Sequence, residues 1–193
     1  MNKTLPQIFV FAANDVVGFD HIQEGIAWRV IKNIGRGSCS SFQYEDFFQI
    51  RAAWNNGTSY TDTIDAKIGK HYSVIKNKTG IVLKANGDSI NKDEIELTND
   101  VEVNEGILAQ LLNNGNVMIG KKRVGYSQSA FFKPSKKIYW GMASDVQEGK
   151  GLKSAVLNSS KFFELNLNGV SNVLVSLNGN AEKGYYFEVE SKN

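Results

Sequence analysis

Residues 25–57 read GIAWRVIKNIGRGSCSSFQYEDFFQIRAAWNNG, and this stretch indicates the fold class of the chain. Its second half, residues 48–54, alternates apolar and other side chains with the period of two that a half-buried β-strand requires. Trp28 and Trp54 lie towards the two ends, with a Gly-Arg-Gly turn between them. The stretch therefore predicts a strand, a turn or loop, and a second strand. We take this hairpin as the structural centre, with both tryptophans as core or rim anchors.

Turn signals of the same kind recur along the whole chain of 193 residues, which has 18 glycines and two prolines. Asn-Gly favours tight hairpins because both central residues of a type I′ turn have positive φ. Five such dipeptides begin at Asn56, Asn86, Asn114, Asn168 and Asn178. Alternating runs lie between them. We predict an all-β fold, an antiparallel β-sandwich of jelly-roll or Greek-key type with about eight to twelve strands, in a single domain spanning residues 1–193.

Two stretches depart from regular alternation. Residues 107, 108, 111 and 112 are apolar, which is a helical spacing, and Asn104 and Gly115 suit the two ends of a helix. We therefore predict one short helix near residues 105–113. The Thr-rich run from Tyr60 to Ile68 alternates only weakly and predicts an exposed or edge strand.

The amino terminus and the net charge limit the classes of protein. The apolar run from Ile8 to Ala13 is too short to span a membrane, and Asn14-Asp15 follows where a signal peptide needs small residues. We read it as a buried first strand and expect no transmembrane segment and a cytoplasmic location, with leaderless export left open. The net charge of +2 gives no bulk attraction for nucleic acid, so nucleic acid is a disfavoured partner.

Residues that could carry catalysis or bind a metal are few. Cys39 is the single cysteine, so the chain has no internal disulfide, and His21 and His71 are the two histidines. The surrounding sequence of Cys39 matches no thiol-enzyme signature, and no pair of ligands has a metal-site spacing. We predict a non-catalytic protein without metal or cofactor. Cys39 is then a small, half-buried residue beside a turn.

Charge is unevenly distributed along the middle of the chain. The acidic run consists of Asp88, Asp93, Glu94, Glu96, Asp100, Glu102 and Glu105. The basic aromatic segment, residues 121–140, follows it without a single acidic residue. A basic patch with aromatic residues suits an anionic surface, or single-stranded nucleic acid. Alternatively, its aromatic residues belong to the core and its lysines lie at hairpin ends. The candidate residues for an anionic surface are Lys121, Lys122, Arg123, Tyr126, Lys133, Lys136, Lys137 and Tyr139.

Three functions fit these observations. The first is a non-catalytic binding or self-assembling β-sandwich module that acts through end loops and a charge-polarised surface. In it, the acidic and basic runs pair internally or between copies, so the partner is a second copy or an anionic surface. The second is a membrane-active, cytolysin-like protein that binds lipid through the basic aromatic segment. The third is a lectin-like carbohydrate-binding module with a sugar loop formed by Trp54, Asn55, Asn56 and Tyr60.

Overall fold

The structure is a computed structural model that describes residues 6–17, 25–159 and 161–193. This part of the chain forms fifteen strands and one helix, α1 (Ser154–Ser159). Sheet I has the strand order β13-β12-β1-β2. Its strands are β1 (Gln7–Asn14), β2 (Arg29–Ile31), β12 (Pro134–Ala143) and β13 (Phe163–Asn166).

Two further sheets and one hairpin complete the fold. Sheet II has the order β10-β9-β3-β4, with β5 also paired to β3, and sheet III has the order β11-β8-β6-β7. The strands of sheet II are β3 (Phe48–Trp54), β4 (Ser59–Tyr60), β5 (Ile64–Ala66), β9 (Ile107–Asn113) and β10 (Asn116–Val124). Those of sheet III are β6 (Lys70–Asn77), β7 (Gly80–Asp88), β8 (Ile95–Asn99) and β11 (Gln128–Phe132). The C-terminal hairpin consists of β14 (Val173–Asn180) and β15 (Gly184–Lys192).

The three sheets pack around one main core. Alternate residues of each sheet enter it, for example Val10 of sheet I, Leu111 of sheet II and Leu97 of sheet III, all fully buried. The prediction of an all-β sandwich is confirmed. The fifteen described strands exceed the predicted number because several, such as β4, are only two or three residues long. One described pair, β6 with β8, is parallel, whereas an antiparallel sandwich was predicted throughout.

The helix predicted at residues 105–113 is wrong, because residues 107–113 form strand β9. This strand lies between β3 and β10 and is covered on both faces. Leu111 enters the main core, while Leu112 packs on the opposite face against Ile26 and Val117. A strand buried on both faces has adjacent apolar residues, which imitate helical spacing. The short helix lies instead at Ser154–Ser159.

The hairpin predicted at residues 25–57 is also wrong. β2 pairs with β1 in sheet I, whereas β3 pairs with β9, β4 and β5 in sheet II. Alternation identifies a strand but not its partner, and residues 32–47 cross from one sheet to the other. Trp28 is fully buried and Trp54 half-buried, as expected of core and rim anchors. The buried first strand predicted at Ile8 to Ala13 is confirmed as part of β1.

The Asn-Gly dipeptides have two structural outcomes. Those at residues 56–57, 114–115 and 168–169 lie in turns. Those at 86–87 and 178–179 lie inside β7 and β14, so the turn prediction is wrong there. At 86–87, where Gly87 has a φ of 87°, the pairing register of β7 shifts as in a β-bulge, the other main use of a residue with positive φ. The predicted edge strand over 60–68 is present as the short strands β4 and β5 beside β3.

Candidate functional site

A groove of about 1620 Å³ lies on the core side of sheet I. We call it the hairpin groove. Residues 30–46 form one wall, residues 170–178 form the other, and Ile8, Ile138 and Trp140 lie on the floor. The groove thus occupies the place where the C-terminal hairpin leaves the core face of sheet I incompletely covered.

The floor and inner walls of the hairpin groove are aromatic. Trp140 is 8% exposed, and its ring centroid lies 5.5 Å from that of Phe42 and 5.9 Å from that of Phe187. The buried Nε1–H of Trp140 has no acceptor among the residues that the structure describes. The Nε1 atom itself is not accessible to solvent, so this N–H lies beneath the surface of the groove. The groove is therefore lined here by the apolar surface of aromatic rings.

The C-terminal hairpin, which forms one wall of the groove, is attached to the rest of the fold by its inward side chains. Val173, Val175, Leu177 and Phe187 point inwards and are half-buried against the main core. The two strands pair closely near their loop, where Gly179 has a φ of 102°. A Cβ atom there would lie 2.1 Å from the carbonyl oxygen of Gly184, so only glycine fits. Because the side chains of β14 alternate, Val173, Val175 and Leu177 form one apolar row on the groove side.

The opposite wall, residues 30–46, has little regular secondary structure, and the side chain of Asn113 holds it in position. The fully buried side chain of Asn113 donates from Nδ2 to the carbonyl oxygen of Glu45 at 2.6 Å, and its Oδ1 accepts from the Glu45 N–H at 3.2 Å. Lys136 donates to Asp46 at 2.8 Å and ties the same segment to β12. Because both backbone groups of Glu45 depend on one side chain, Asn113 determines where this wall lies.

Tyr44 contributes an uncharged surface to the wall. Its ring packs edge-on against Trp28 at 5.8 Å between centroids. Burial, with a smaller contribution from the negative charge of Asp46, raises the pKa of Tyr44 to about 12. The phenol therefore stays neutral at physiological pH, and the inner part of this wall offers apolar contact and a hydroxyl group.

Cys39 also lines the hairpin groove, in its outer part. It is exposed as a free thiol, so the half-buried position predicted for it is wrong. The turn beside it is held by Ser38, whose N–H donates to the carbonyl oxygen of Gly35 at 3.1 Å. His71 lies far along the chain in sheet III, bonded to Thr98, and His21 lies outside the described residues.

The basic aromatic segment is divided between sheets. Lys121, Lys122 and Arg123 belong to β10 of sheet II, and Tyr126 lies in the turn that follows, 58% exposed. Lys136, Lys137 and Tyr139 belong to β12 of sheet I, and Lys133 directly precedes that strand. The structure therefore does not bring the eight candidate residues onto one strand or one sheet.

Three lysines of this segment are paired with acidic residues. Lys133 bonds Asp93, Lys136 bonds Asp46, and Lys137 bonds Glu164 at 3.1 Å. The hydrogen bond and the charge of Glu164 raise the pKa of Lys137 above its usual value. One of these pairs, Lys133 with Asp93, joins the basic segment to the acidic run, as the internal-pairing alternative predicts. Such pairing reduces the positive charge that remains for an anionic surface.

The predicted sugar loop forms a compact corner of sheet II. Trp54 ends β3, Asn55 and Asn56 are exposed in the turn, and Tyr60 is 61% exposed on β4. The Arg51 guanidinium lies over the Tyr60 ring, 5.2 Å from its centroid. This arrangement brings the four candidate residues together, and it covers one face of the exposed tyrosine with an arginine.

A polar row crosses the outer face of sheet III, and the sequence did not predict it. His71 Nε2 lies 2.8 Å from Thr98 Oγ1, which lies 2.7 Å from Ser129 Oγ, and Ser129 donates to Glu96 at 3.1 Å. These three contacts require three hydrogens, and the two hydroxyl groups supply two. When Glu96 is ionised, the third hydrogen must be on His71 Nε2, so His71 is a donor to Thr98 and not its base.

Within residues 6–17, 25–159 and 161–193, no cluster of three or more His, Cys, Asp or Glu side chains could hold a metal ion. No helix of that part is long and apolar enough to cross a membrane.

The residues of the hairpin groove lie far apart in the sequence and come together only through the packing of distant strands.

Comparison with protein-family models, with curated protein sequences and with solved structures gave no match to this chain. The function must therefore be inferred from the chemistry of the site.

Proposed function

We propose that this chain is a non-catalytic binding module whose ligand occupies the hairpin groove. The observation that carries the proposal is a groove of about 1620 Å³ with half-buried apolar walls and Trp140 on its floor. Binding would remove the inner faces of Ile34, Phe42 and Leu177 from water, at about 25 cal/mol per Å² of apolar area.

The lining chemistry supports an amphipathic ligand with little net charge. Positive and negative side chains are equally frequent around the groove, three of each sign. The two walls add hydroxyl and amide groups, from Ser38, Ser40 and Gln43 on one side and Asn172 on the other. A strongly charged ligand gains nothing from such a balanced rim, whereas a ligand with apolar and hydrogen-bonding groups is matched in both respects.

The test compares three classes of ligand on the whole chain and on matched variants. The probes are a glycan array, phosphatidylserine-containing vesicles and a display library of random peptides. Leu177→Arg places a charge on the inner face of the groove wall. Tyr186→Arg, on the exposed side of the same hairpin and away from the groove, is the control. Ile34→Arg on the opposite wall serves as a second groove variant, and melting curves establish which variants remain folded.

We expect one class of probe to bind the wild type and Tyr186→Arg, and to bind the folded groove variants at least tenfold more weakly, about 1.4 kcal/mol. Binding that survives both groove variants would overturn the proposal. For vesicles, such binding would point to the basic aromatic segment at 121–140 and to the membrane-active alternative.

A further inference from the structure

We infer that the ligand of the hairpin groove is an extended polypeptide segment of a partner protein, which binds by adding a strand to the free edge of β14. This inference rests on the proposed function, since it names the class of ligand for the same groove. It follows from four features of the two walls.

The first feature is the way in which β14 borders the groove. Every residue from Val170 to Asn178 lines it, including both the inward Val175 and the outward Leu174. A strand that presents one face to a cavity contributes only every second side chain. Consecutive lining residues show that β14 meets the groove with its edge, where backbone groups are presented.

The second feature is that this edge is unpaired. In the described part of the chain, β14 pairs with β15 alone, and no backbone hydrogen bond links it to sheets I, II or III. Alternate N–H and C=O groups of β14 therefore point towards the groove without a strand partner. Unpaired edges of this kind are templates for another extended chain.

The third feature is the pattern of side chains beside the edge. Val173, Val175 and Leu177 form an inward row along β14, and Ile31, Ile34 and Phe42 lie inward on the opposite wall. An extended segment with alternate apolar residues would place one row of side chains against both walls. Glycans and lipid chains lack a regular ladder of amide groups that could pair with β14.

The fourth feature is size. At about 1620 Å³ the groove exceeds the range of about 300–1,000 Å³ that is usual for small-molecule sites. The part of β14 that lines the groove, residues 173–178, spans about 20 Å at about 3.3 Å per residue, the length of an extended peptide of similar size. A polymeric ligand in extended form uses this length, and a compact ligand does not.

The test begins with selection of twelve-residue peptides from a random display library on the wild-type protein. Clones that also bind Leu177→Arg are removed. The best peptide is then synthesised in three forms: unmodified, with N-methyl groups on alternate residues, and with N-methyl groups on the intervening residues. N-methylation removes backbone donors and leaves the side chains unchanged. Strand addition uses the donors of only one alternate set against β14.

We expect one N-methylated form to bind at least about tenfold more weakly than the unmodified peptide and the other form to bind with nearly equal affinity. Equal binding of all three forms, with binding still lost in Leu177→Arg, would overturn strand addition and leave the groove as the site. Groove-dependent binding of glycans or vesicles with no peptide enriched would overturn the peptide inference. If every enriched clone, tested before that removal step, bound Leu177→Arg and Ile34→Arg as well as the wild type, the groove itself would be overturned as the site.

Discussion

The two faces of sheet I are covered in different ways, and the difference locates the candidate site. On the back face, Phe9, Phe11 and Leu157 form a second buried cluster under the segment that contains α1. A Cβ atom on Gly141 would lie 2.6 Å from the Phe9 ring, so the packing leaves no room for a side chain. On the core face, the C-terminal hairpin covers sheet I with half-buried side chains and leaves the hairpin groove.

This comparison shows that apolar alternation alone does not distinguish closed from open surfaces. β1 and β12 supply apolar residues to both faces, and Tyr139 stacks on Phe11 at 5.1 Å on the back while Trp140 faces the groove. What differs is the covering element. The back face is covered by a chain segment in which aromatic rings pack against the aromatic rings of the sheet. On the core face, the hairpin leaves part of the sheet open, and the edge of β14 beside this opening has no strand partner in the described chain.

The largest expected effect is on the free energy of unfolding, and it is tested by one aromatic substitution under each cover of sheet I. Phe11→Ala removes a ring that is 4% exposed and should lower the free energy of unfolding by about 3–5 kcal/mol. Phe187→Ala removes a half-buried ring beside the groove and should cost only about 1–2 kcal/mol, because less apolar area is lost. Urea unfolding of both variants measures the difference. Equal losses would show that the hairpin is as tightly packed as the back cover.

A smaller effect is expected from the residue that positions the opposite wall. Asn113→Ala removes the partners of both backbone groups of Glu45 and should lower the free energy of unfolding by about 1–3 kcal/mol. It should also weaken binding in the groove, since residues 42–46 lose their attachment. Ser40→Ala, an exposed change in the same wall, is the control for stability and should leave the free energy of unfolding unchanged. Undiminished binding in Asn113→Ala would show that this attachment does not shape the site.

The smallest effect is a pH dependence at the same wall. The pKa of Tyr44 is about 12 in the folded protein and has the ordinary value of 10.0 when the chain is unfolded. Above pH 10 the unfolded chain releases this proton first, so stability falls as pH rises from 10 towards 12. Below pH 10 the phenol is neutral in both states and contributes no slope. Tyr44→Phe should lessen the alkaline loss in urea unfolding, and an unchanged slope would contradict the assignment.

Much of the fold could be predicted from local pattern. Alternation identified β3, β12 and the strands of the C-terminal hairpin, because a half-buried strand repeats its environment every two residues. A short continuous apolar run identified β1, which is buried on both faces. The alternation rule failed for β9. That strand is buried on both faces, so apolar residues occupy adjacent positions and their spacing resembles that of a helix.

The candidate site could be predicted only in part. Trp54, Asn55, Asn56 and Tyr60 are neighbours in sequence and remain neighbours in the structure. The basic aromatic segment was treated as one surface, but β10 and β12 carry it into different sheets. Nothing in the sequence marked Trp140, Phe42 and Phe187 as one group, since they lie on three elements and meet only through packing. Alternation marked the strands of the hairpin wall, but not the wall's position beside sheet I.

The sequence by itself determined the class of this protein: β-strands of period two, separated by glycine turns, with enough apolar residues for a core. These properties depend on side chains a few residues apart, so a linear pattern records them. Tertiary structure alone decided which strands pair, that β14 keeps a free edge and that the core face of sheet I remains open. These depend on contacts between residues far apart in the chain, whose free energies arise only when the three sheets and the C-terminal hairpin pack together.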